Sequence, residues 1–380
     1  MSPLNILFVH EDVSRIDHLR SSYHWLAGEL GFRAFIAGWK GIEVSAGGTS
    51  IRDGYEAVSS SVKRNFSSIE LIQPDIIVHR KLIWGQSEKL FEKLAEAYPK
   101  SLISYRPHWK PIGDKWVVEL CMRSAEKRGT HVARPTTYLA EKSEMIERLH
   151  QIGHTKPLIF KPASGSECKG IWLSEPETFD QVTKDVLSSN WTRYIVQDLI
   201  PDSVLYCGKK LDLRVYVLVE SFQPLRFRLY REGVARIAAQ QFCRVRLAQP
   251  LCALTGSSYR KRLGLTVENL PITDVLAYLE RIGYRVGGFW EDLEALVASV
   301  LAALGEYEPL AQEGNSSRRF YLAGLDFLMV PKGDSFSFLF LETNYVPQLT
   351  DWGASVDSRL EKVHRQWLRE LGDIHNRPAA

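Results

Sequence analysis

Hydrophobic and polar residues alternate most regularly over residues 209–220, KKLDLRVYVLVE, where Leu211, Leu213, Val215, Val217 and Val219 fall on one face and Lys210, Asp212, Arg214 and Tyr216 on the other. This predicts a strand packed on a core by its apolar face. The charged row either is a solvated outer face or lines a cleft in which Asp212 holds Lys210 and Arg214 in position for an anionic ligand. Residues 321–347, YLAGLDFLMVPKGDSFSFLFLETNYVP, predict an antiparallel hairpin in which two apolar runs flank the turn signal PKGDS. Acid and amide side chains interrupt both runs. With Val330 opposite Phe336, Asp326 lies opposite Phe340, Glu342 sits diagonally beside it on the same face, and Asn344 comes one step further along. A slip of one residue would separate Asp326 from the other two. Paired buried carboxylates call for a cation between them, and oxygen donors without Cys or His favour a hard ion, Mg2+ before Ca2+. Solvated charges on an exposed strand are the competing reading.

Towards the amino terminus, the apolar runs NILFVH, FRAFIAG and PDIIVHR are separated by helical patterns, which argues for a small parallel sheet with covering helices. No G-x-G-x-x-G comes after the first run, so a dinucleotide fingerprint is absent. Ligands of such sheets sit at the carboxyl ends of the strands, which makes His10, Glu11, Asp12, Arg80, Lys81, Arg106 and His108 candidates for a substrate rim, against the simpler reading of surface polar residues. A helix is expected from Asp114, as its cap, to about Arg128 before Gly129. Pro107 and Pro111 mark the boundary between the first domain and the second.

Residues 157–173, PLIFKPASGSECKGIWL, read as two short strands around a small-residue loop with Gly165 and Gly170, with Lys161 ending the first strand. Such a loop can bring backbone N–H groups to phosphate oxygens while the lysine neutralises them, although many surface hairpins have the same composition. It is not a Walker A sequence, because the lysine precedes the glycines and a strand comes next. RYIVQDLIPDS reads as a buried strand connecting two lobes. YREGVAR, ending in Arg236, and LTGSSYRK, with Thr255, Ser257, Ser258 and Lys261, add donors and positive charge, and the helical periodicity of residues 271–304 reads as packing.

Composition excludes several classes. The chain has 380 residues, 45% hydrophobic and 24% charged, with a formal net charge of +3, so nothing in the charge balance demands nucleic acid. Five cysteines without a C-x-x-C pair do not form a disulfide framework and favour a reducing, cytoplasmic setting. The beginning of the chain does not read as a signal peptide, and the longest apolar helix, around residues 293–304, is too short for a membrane span.

The order of these pieces resembles the tubulin tyrosine ligase branch of the ATP-grasp ligases, carried best by KKLDLRVYVLV, LYREGVAR, GLDFLMV and FLETNYVP. The resemblance implies an α/β chain, α+β in its catalytic part, with an ATP-grasp fold behind an amino-terminal Rossmann-like parallel-sheet domain. The expected domains are 1–110, a central lid domain 111–200 and a catalytic domain 201–380. It implies ATP and Mg2+ as cofactors. Lys161, Lys210 and Gly165 would contact phosphates, and Gln197, Asp198, Leu199 and Ile200 the adenine. Arg214, Arg236, Asp212 and Lys261 would surround the transferred phosphoryl, with Asp326, Glu342 and Asn344 on the metal. The chain departs from the family at Gly256, where asparagine commonly comes after LT, and at Asp198, where lysine is common.

The implied activity is ATP-dependent ligation of a carboxylate to an amine through an acyl phosphate. Without a strongly basic surface signal for acidic protein tails, small-molecule carboxylate and amine substrates are expected ahead of a protein or peptide acceptor. A nucleotide-binding module without catalysis and a kinase are the alternatives.

Overall fold

The computed structural model describes residues 3–10, 28–45, 47–52, 54–57, 63–65, 70–79, 88–104, 113–142, 147, 155–307, 318–345, 347 and 354–376. Among these, three larger sheets carry the architecture. The first has strands β1 (Asn5–His10), β2 (Arg33–Gly38), β3 (Gly54–Ala57), β4 (Lys63–Asn65), β5 (Ile76–His79) and β6 (Leu102–Ile103), in the order β4-β3-β2-β1-β5-β6. The three apolar runs of the sequence become β1, β2 and β5, which pair in parallel, as do β5 and β6; β3 and β4 extend the sheet antiparallel. Runs without polar alternation suit this position, because a parallel sheet is covered on both faces. Of the proposed rim only His10 is described, and it is buried; Glu11, Asp12, Arg80, Lys81, Arg106 and His108 lie outside the described residues.

After helix α1 (Glu88–Ala97) comes α2 (Lys115–Lys127), whose Asp114 cap accepts hydrogen bonds from Trp116 N at 2.9 Å and Val117 N at 3.3 Å. The second sheet contains β7 (Thr137–Glu141), β8 (Leu158–Pro162), β9 (Trp172–Ser174) and, beyond helix α3 (Phe179–Ser188), β10 (Arg193–Asp198), in the order β7-β10-β8-β9. The third contains β11 (Lys209–Phe222), β12 (Leu225–Gln241), β13 (Asn269–Pro271), β14 (Tyr321–Lys332) and β15 (Ser335–Asn344), in the order β13-β12-β11-β14-β15, with the short strand Leu205–Tyr206 against β11. Helix α4 (Ser257–Arg262) precedes β13; helices α5 (Ile272–Arg281) and α6 (Phe289–Gly305) come after it, and α7 (Ala354–His375) closes the described chain.

The third sheet is buried from both sides. Leu211, Leu213, Val215, Val217 and Val219 form one face of β11 and pack with Leu325, Phe327, α6 and the inner face of α2 in one core. At roughly 1.5–3 kcal/mol for each fully buried aliphatic side chain, this row alone fixes which way β11 faces. On the opposite face, Tyr216, Leu218, Tyr230, Phe320 and Leu322 join Ile6, Phe8 and Val78 of the first sheet and Leu360, Trp367 and Leu371 of α7 in a second core. Only at the other end of this face do charged residues replace apolar ones, and there the second sheet approaches. All five cysteines are free thiols, and no helix among the described residues is long and apolar enough to cross a membrane.

Candidate active site

Between the second and third sheets lies a cavity of about 130 Å3. Its apolar wall comes from Ile159, Ile171, Leu199, Leu254, Leu328 and Leu341; its polar end from Lys161, Lys210, Asp212, Arg236, Asp326 and Glu342. The row Lys210, Asp212, Arg214 on β11 is therefore not a solvated face: all three side chains are buried.

Register explains how acids and bases meet. On β11, Asp212 pairs with Arg236 of β12 and Arg214 with Asp326 of β14, so the central strand contributes two of the four charged residues and each neighbouring strand one. Arg214 Nε and Nη2 donate to Asp326 Oδ1 and Oδ2, both at 2.8 Å, and Arg236 Nη2 donates to Asp326 Oδ2 at 2.7 Å. Arg236 Nε donates to Asp212 Oδ1 at 2.5 Å, and the Thr255 hydroxyl donates to Asp212 Oδ2. Asp326 is 0% exposed. Burial alone would push its carboxyl up, but the two guanidinium groups hold it well below the usual carboxylate range.

The hairpin β14–β15 differs from expectation by one residue and then corrects itself. The loop is only Gly333 and Asp334, with Gly333 at φ +62°, the left-handed conformation a two-residue primed turn needs. Val330 therefore faces Ser337 instead of Phe336, the slip that would separate Asp326 from Glu342. A bulge between Phe327 and Asp326 returns the three residues to one face, with Glu342 now directly opposite Asp326 instead of diagonal: Phe327 faces Phe340, yet Asp326 faces Glu342 and Gly324 faces Asn344. Asn344 Nδ2 lies 3.4 Å from Asp326 Oδ2. Among the described residues no three His, Cys, Asp or Glu side chains surround one point, so the donors here are two carboxylates and an amide. They are hard oxygen donors of the kind that share Mg2+ with phosphates and water. Glu342 has the most open coordination, with Lys115 Nζ 3.5 Å from its Oε2, whereas Asp326 would share its oxygens with two guanidinium groups.

Two lysines face the cavity without a carboxylate of their own. Lys161 Nζ donates to Gln197 Oε1 at 2.7 Å, and Gln197 Nε2 in turn donates to Thr137 Oγ1 at 2.8 Å. Gln197 borders the cavity and orients Lys161, with both ends of its amide already hydrogen-bonded within the protein. Lys210 finds no hydrogen-bond or ion-pair partner among the described residues, and its ammonium lies 5.9 Å from the Phe242 ring centre. Burial lowers both lysines; Lys210 falls to about 8, with Asp212 opposing the shift and Lys161 adding to it. At the opposite end, the backbone N–H groups of Asp198 and Leu199 already donate to the carbonyls of Thr136 and Pro157. Asp198 Oδ2 accepts from Lys156 at 3.1 Å, while its buried Oδ1 has no partner among the described residues. Leu199 and Ile200 border the cavity.

Three expected residues lie elsewhere. Lys261 is exposed on α4, and its neighbour Arg260 is the buried one. Gly165 does not border the cavity: it packs on Pro162, and its carbonyl accepts from Lys115 Nζ at 2.6 Å. Arg214 stands behind the cavity wall, against Asp326. Lys115, bridging this loop and Glu342 from the start of α2, escaped the sequence reading, since only the fold brings it to the site.

A profile of the tubulin-tyrosine ligase family matches residues 93–376. Tubulin polyglutamylase TTLL6 of Homo sapiens is 30% identical over 231 residues, covering 56% of this chain and 24% of that protein. The probable tubulin polyglutamylase TTLL2 of Homo sapiens is 28% identical over 242 residues, 60% of this chain and 38% of that protein. Tubulin polyglutamylase TTLL7 of Homo sapiens is 28% identical over 282 residues, 67% of this chain and 31% of that protein. The chain thus spans well under half the length of these relatives. It belongs to the tubulin-tyrosine ligase family, a branch of the ATP-grasp superfamily.

Proposed function

We propose that the chain is an ATP-dependent ligase that joins an amino acid to a carboxylate of a protein acceptor through an acyl phosphate, releasing ADP and phosphate. The observation that carries this reading is the charge balance of the cavity. Lys161, Lys210, Arg214 and Arg236 are buried against Asp212 and Asp326. The other carboxylates that line the cavity, Glu342 and Asp198, are engaged by Lys115 and Lys156, and Lys210 has no hydrogen-bond or ion-pair partner among the described residues. A buried ammonium without a counter-ion is costly, and a polyphosphate would complete it.

In this reading Lys161 and Lys210 bind the phosphates, aided by Lys115. The adenine lies between the apolar side chains of the cavity, beside Asp198. Arg236, fixed by Asp212 and Asp326, meets the charge of the transferred phosphoryl, while Arg214 holds Asp326 from behind the cavity wall and Thr255 keeps Asp212 in place. Mg2+ held by Asp326, Glu342 and Asn344 would supply charge neutralisation at the phosphates. Activation is needed because a carboxylate is a poor electrophile; phosphorylation gives it a leaving group that an amine displaces. The remaining task of the protein is to keep water from the acyl phosphate. The parallel amino-terminal sheet is read as the leading domain of an ATP-grasp enzyme.

The names of the relatives favour a protein acceptor over the small molecules expected from composition, and glutamate over other amino acids as donor. The test incubates the protein with MgATP, L-glutamate and tubulin, and tracks ADP together with the mass of the tubulin tail peptides. ADP release coupled to addition of glutamyl residues is expected. ADP without a new amide would instead identify a kinase or an idle ATPase, and neither product would leave a binding module.

A further inference from the structure

The loop of residues 163–170 forms one wall of the cavity through Cys168 and meets the segment before α4 on its far side. Two contacts hold it there. Arg262 Nη1 donates to the Glu167 carbonyl at 2.6 Å, and the Cys168 thiol rests on Gly256. Gly256 has φ −58° and ψ 120°, a conformation open to any residue, so its backbone does not require glycine. Its surroundings favour it while the thiol stays where it is: a Cβ at position 256 would stand 2.5 Å from Cys168 Sγ, whereas the next atom, Cys168 Cβ, is 4.0 Å away. Glu167 and Cys168 meanwhile both hold φ +57°, the left-handed region that side chains disfavour, so the loop tip keeps this shape only while its contacts persist.

We propose that residues 163–170 are a lid clasped shut by Cys168 on Gly256 and by Arg262 on Glu167, and that the missing side chain at position 256 is what lets this lid close. Gly256 and Arg262 are thus positioning residues, acting on the reaction through the loop. The consequence for nucleotide affinity rests on the ligase reading above; closure itself does not.

The test uses two readouts that need no nucleotide. One is iodoacetamide labelling of Cys168, with exposed Cys207 as internal reference, and the other is tryptic cleavage after exposed Lys169, both read by peptide mass. Gly256→Ala should speed both by about tenfold, the effect of overpacking a closed contact, and weaken ATP binding in step. On a Cys168→Ala background, where the new methyl meets only an atom at ordinary contact distance, Gly256→Ala should leave the cleavage rate at that of Cys168→Ala alone. Thermal melting checks that the variants are folded, and Arg262→Gln, an exposed change, should also speed cleavage. Unchanged labelling and cleavage in folded Gly256→Ala, or an undiminished Gly256→Ala effect on the Cys168→Ala background, overturns the clasp. If the rates respond as stated but the wild-type protein does not bind ATP, the clasp stands and the ligase reading falls.

Discussion

Lys210 should be worth more to binding than it costs the fold. Its side chain is only 8% exposed and unpaired among the described residues, and burial brings it from an ordinary 10.5 to about 8. That difference corresponds to a penalty of about 3 kcal/mol for holding the charge in the folded state at neutral pH. Lys210→Met keeps the length of the chain and removes the charge. Without ligand, the variant should therefore unfold at a higher urea concentration than the wild type at pH 7, by up to that amount. Its ATP affinity should fall by about a hundredfold or more, since the phosphates lose a desolvated cation. The pH dependence has a definite sign. Because the folded value lies below the unfolded one, the penalty is fully present below about 8 and is relieved as pH rises towards 10.5. The stability advantage of the variant should accordingly shrink across that window, while wild-type ATP affinity declines through it. Urea titrations monitored by tryptophan fluorescence and calorimetric ATP titrations measure both. A less stable unliganded variant at pH 7, or unaltered ATP affinity, would refute the assignment of Lys210 as an uncompensated phosphate ligand.

Asp326→Asn leaves Arg214 and Arg236 sharing a neutral amide, and should destabilise the fold by about 3 kcal/mol or more in urea titrations. As the Asp326 carboxyl is held low, its contribution is complete above the ordinary 3.8 and is lost only as pH falls through the depressed value; the gap between variant and wild type should persist at pH 5. Glu342→Gln, whose side chain is 28% exposed, should change stability by less than about 0.5 kcal/mol yet lower acceptor-dependent ADP release by roughly a hundredfold. Wild-type release in that variant would remove Glu342 from the site.

Legibility in the sequence tracked the range of the interactions concerned. The alternation in β11 named its core face correctly, because period-two burial is local and five aliphatic residues agree. The cap of α2 was readable because it too is local, and the parallel pairing of β1, β2 and β5 because continuous apolar runs separated by helical patterns imply a sheet covered on both faces. Whether Lys210, Asp212 and Arg214 face solvent or a cleft was not, since that depends on the second sheet docking over them. Gln197 illustrates the same limit: a strand-end amide can contact a ligand or orient a neighbour, and only the nearness of Lys161 and Thr137 decides. Lys115 and Lys261 reverse their apparent importance because one helix starts at the site and the other turns its lysine outward.

Register is the sharpest case, and it leads to a prediction about one residue. The two-residue turn puts Phe336, Phe338 and Phe340 on the core face; an uninterrupted ladder would turn Glu342 the same way, opposite Leu325. The bulge inserts Leu341 as an unpaired residue, so that Leu341 and Glu342 both border the cavity. Deleting Leu341 makes the ladder regular from the turn onward while Glu342 still faces Asp326 and Asn344 still faces Gly324. The shortened hairpin should therefore fold, losing about 1–2 kcal/mol for one partly buried leucine. Its acceptor-dependent ADP release should remain within about tenfold of wild type, far above that of Glu342→Gln, because the carboxylate is retained and only an apolar wall residue is lost. If the deletion abolished release as completely as Glu342→Gln in a protein that still melts cooperatively, the tilt imposed by the bulge, and not the facing of two carboxylates, would be what the site requires.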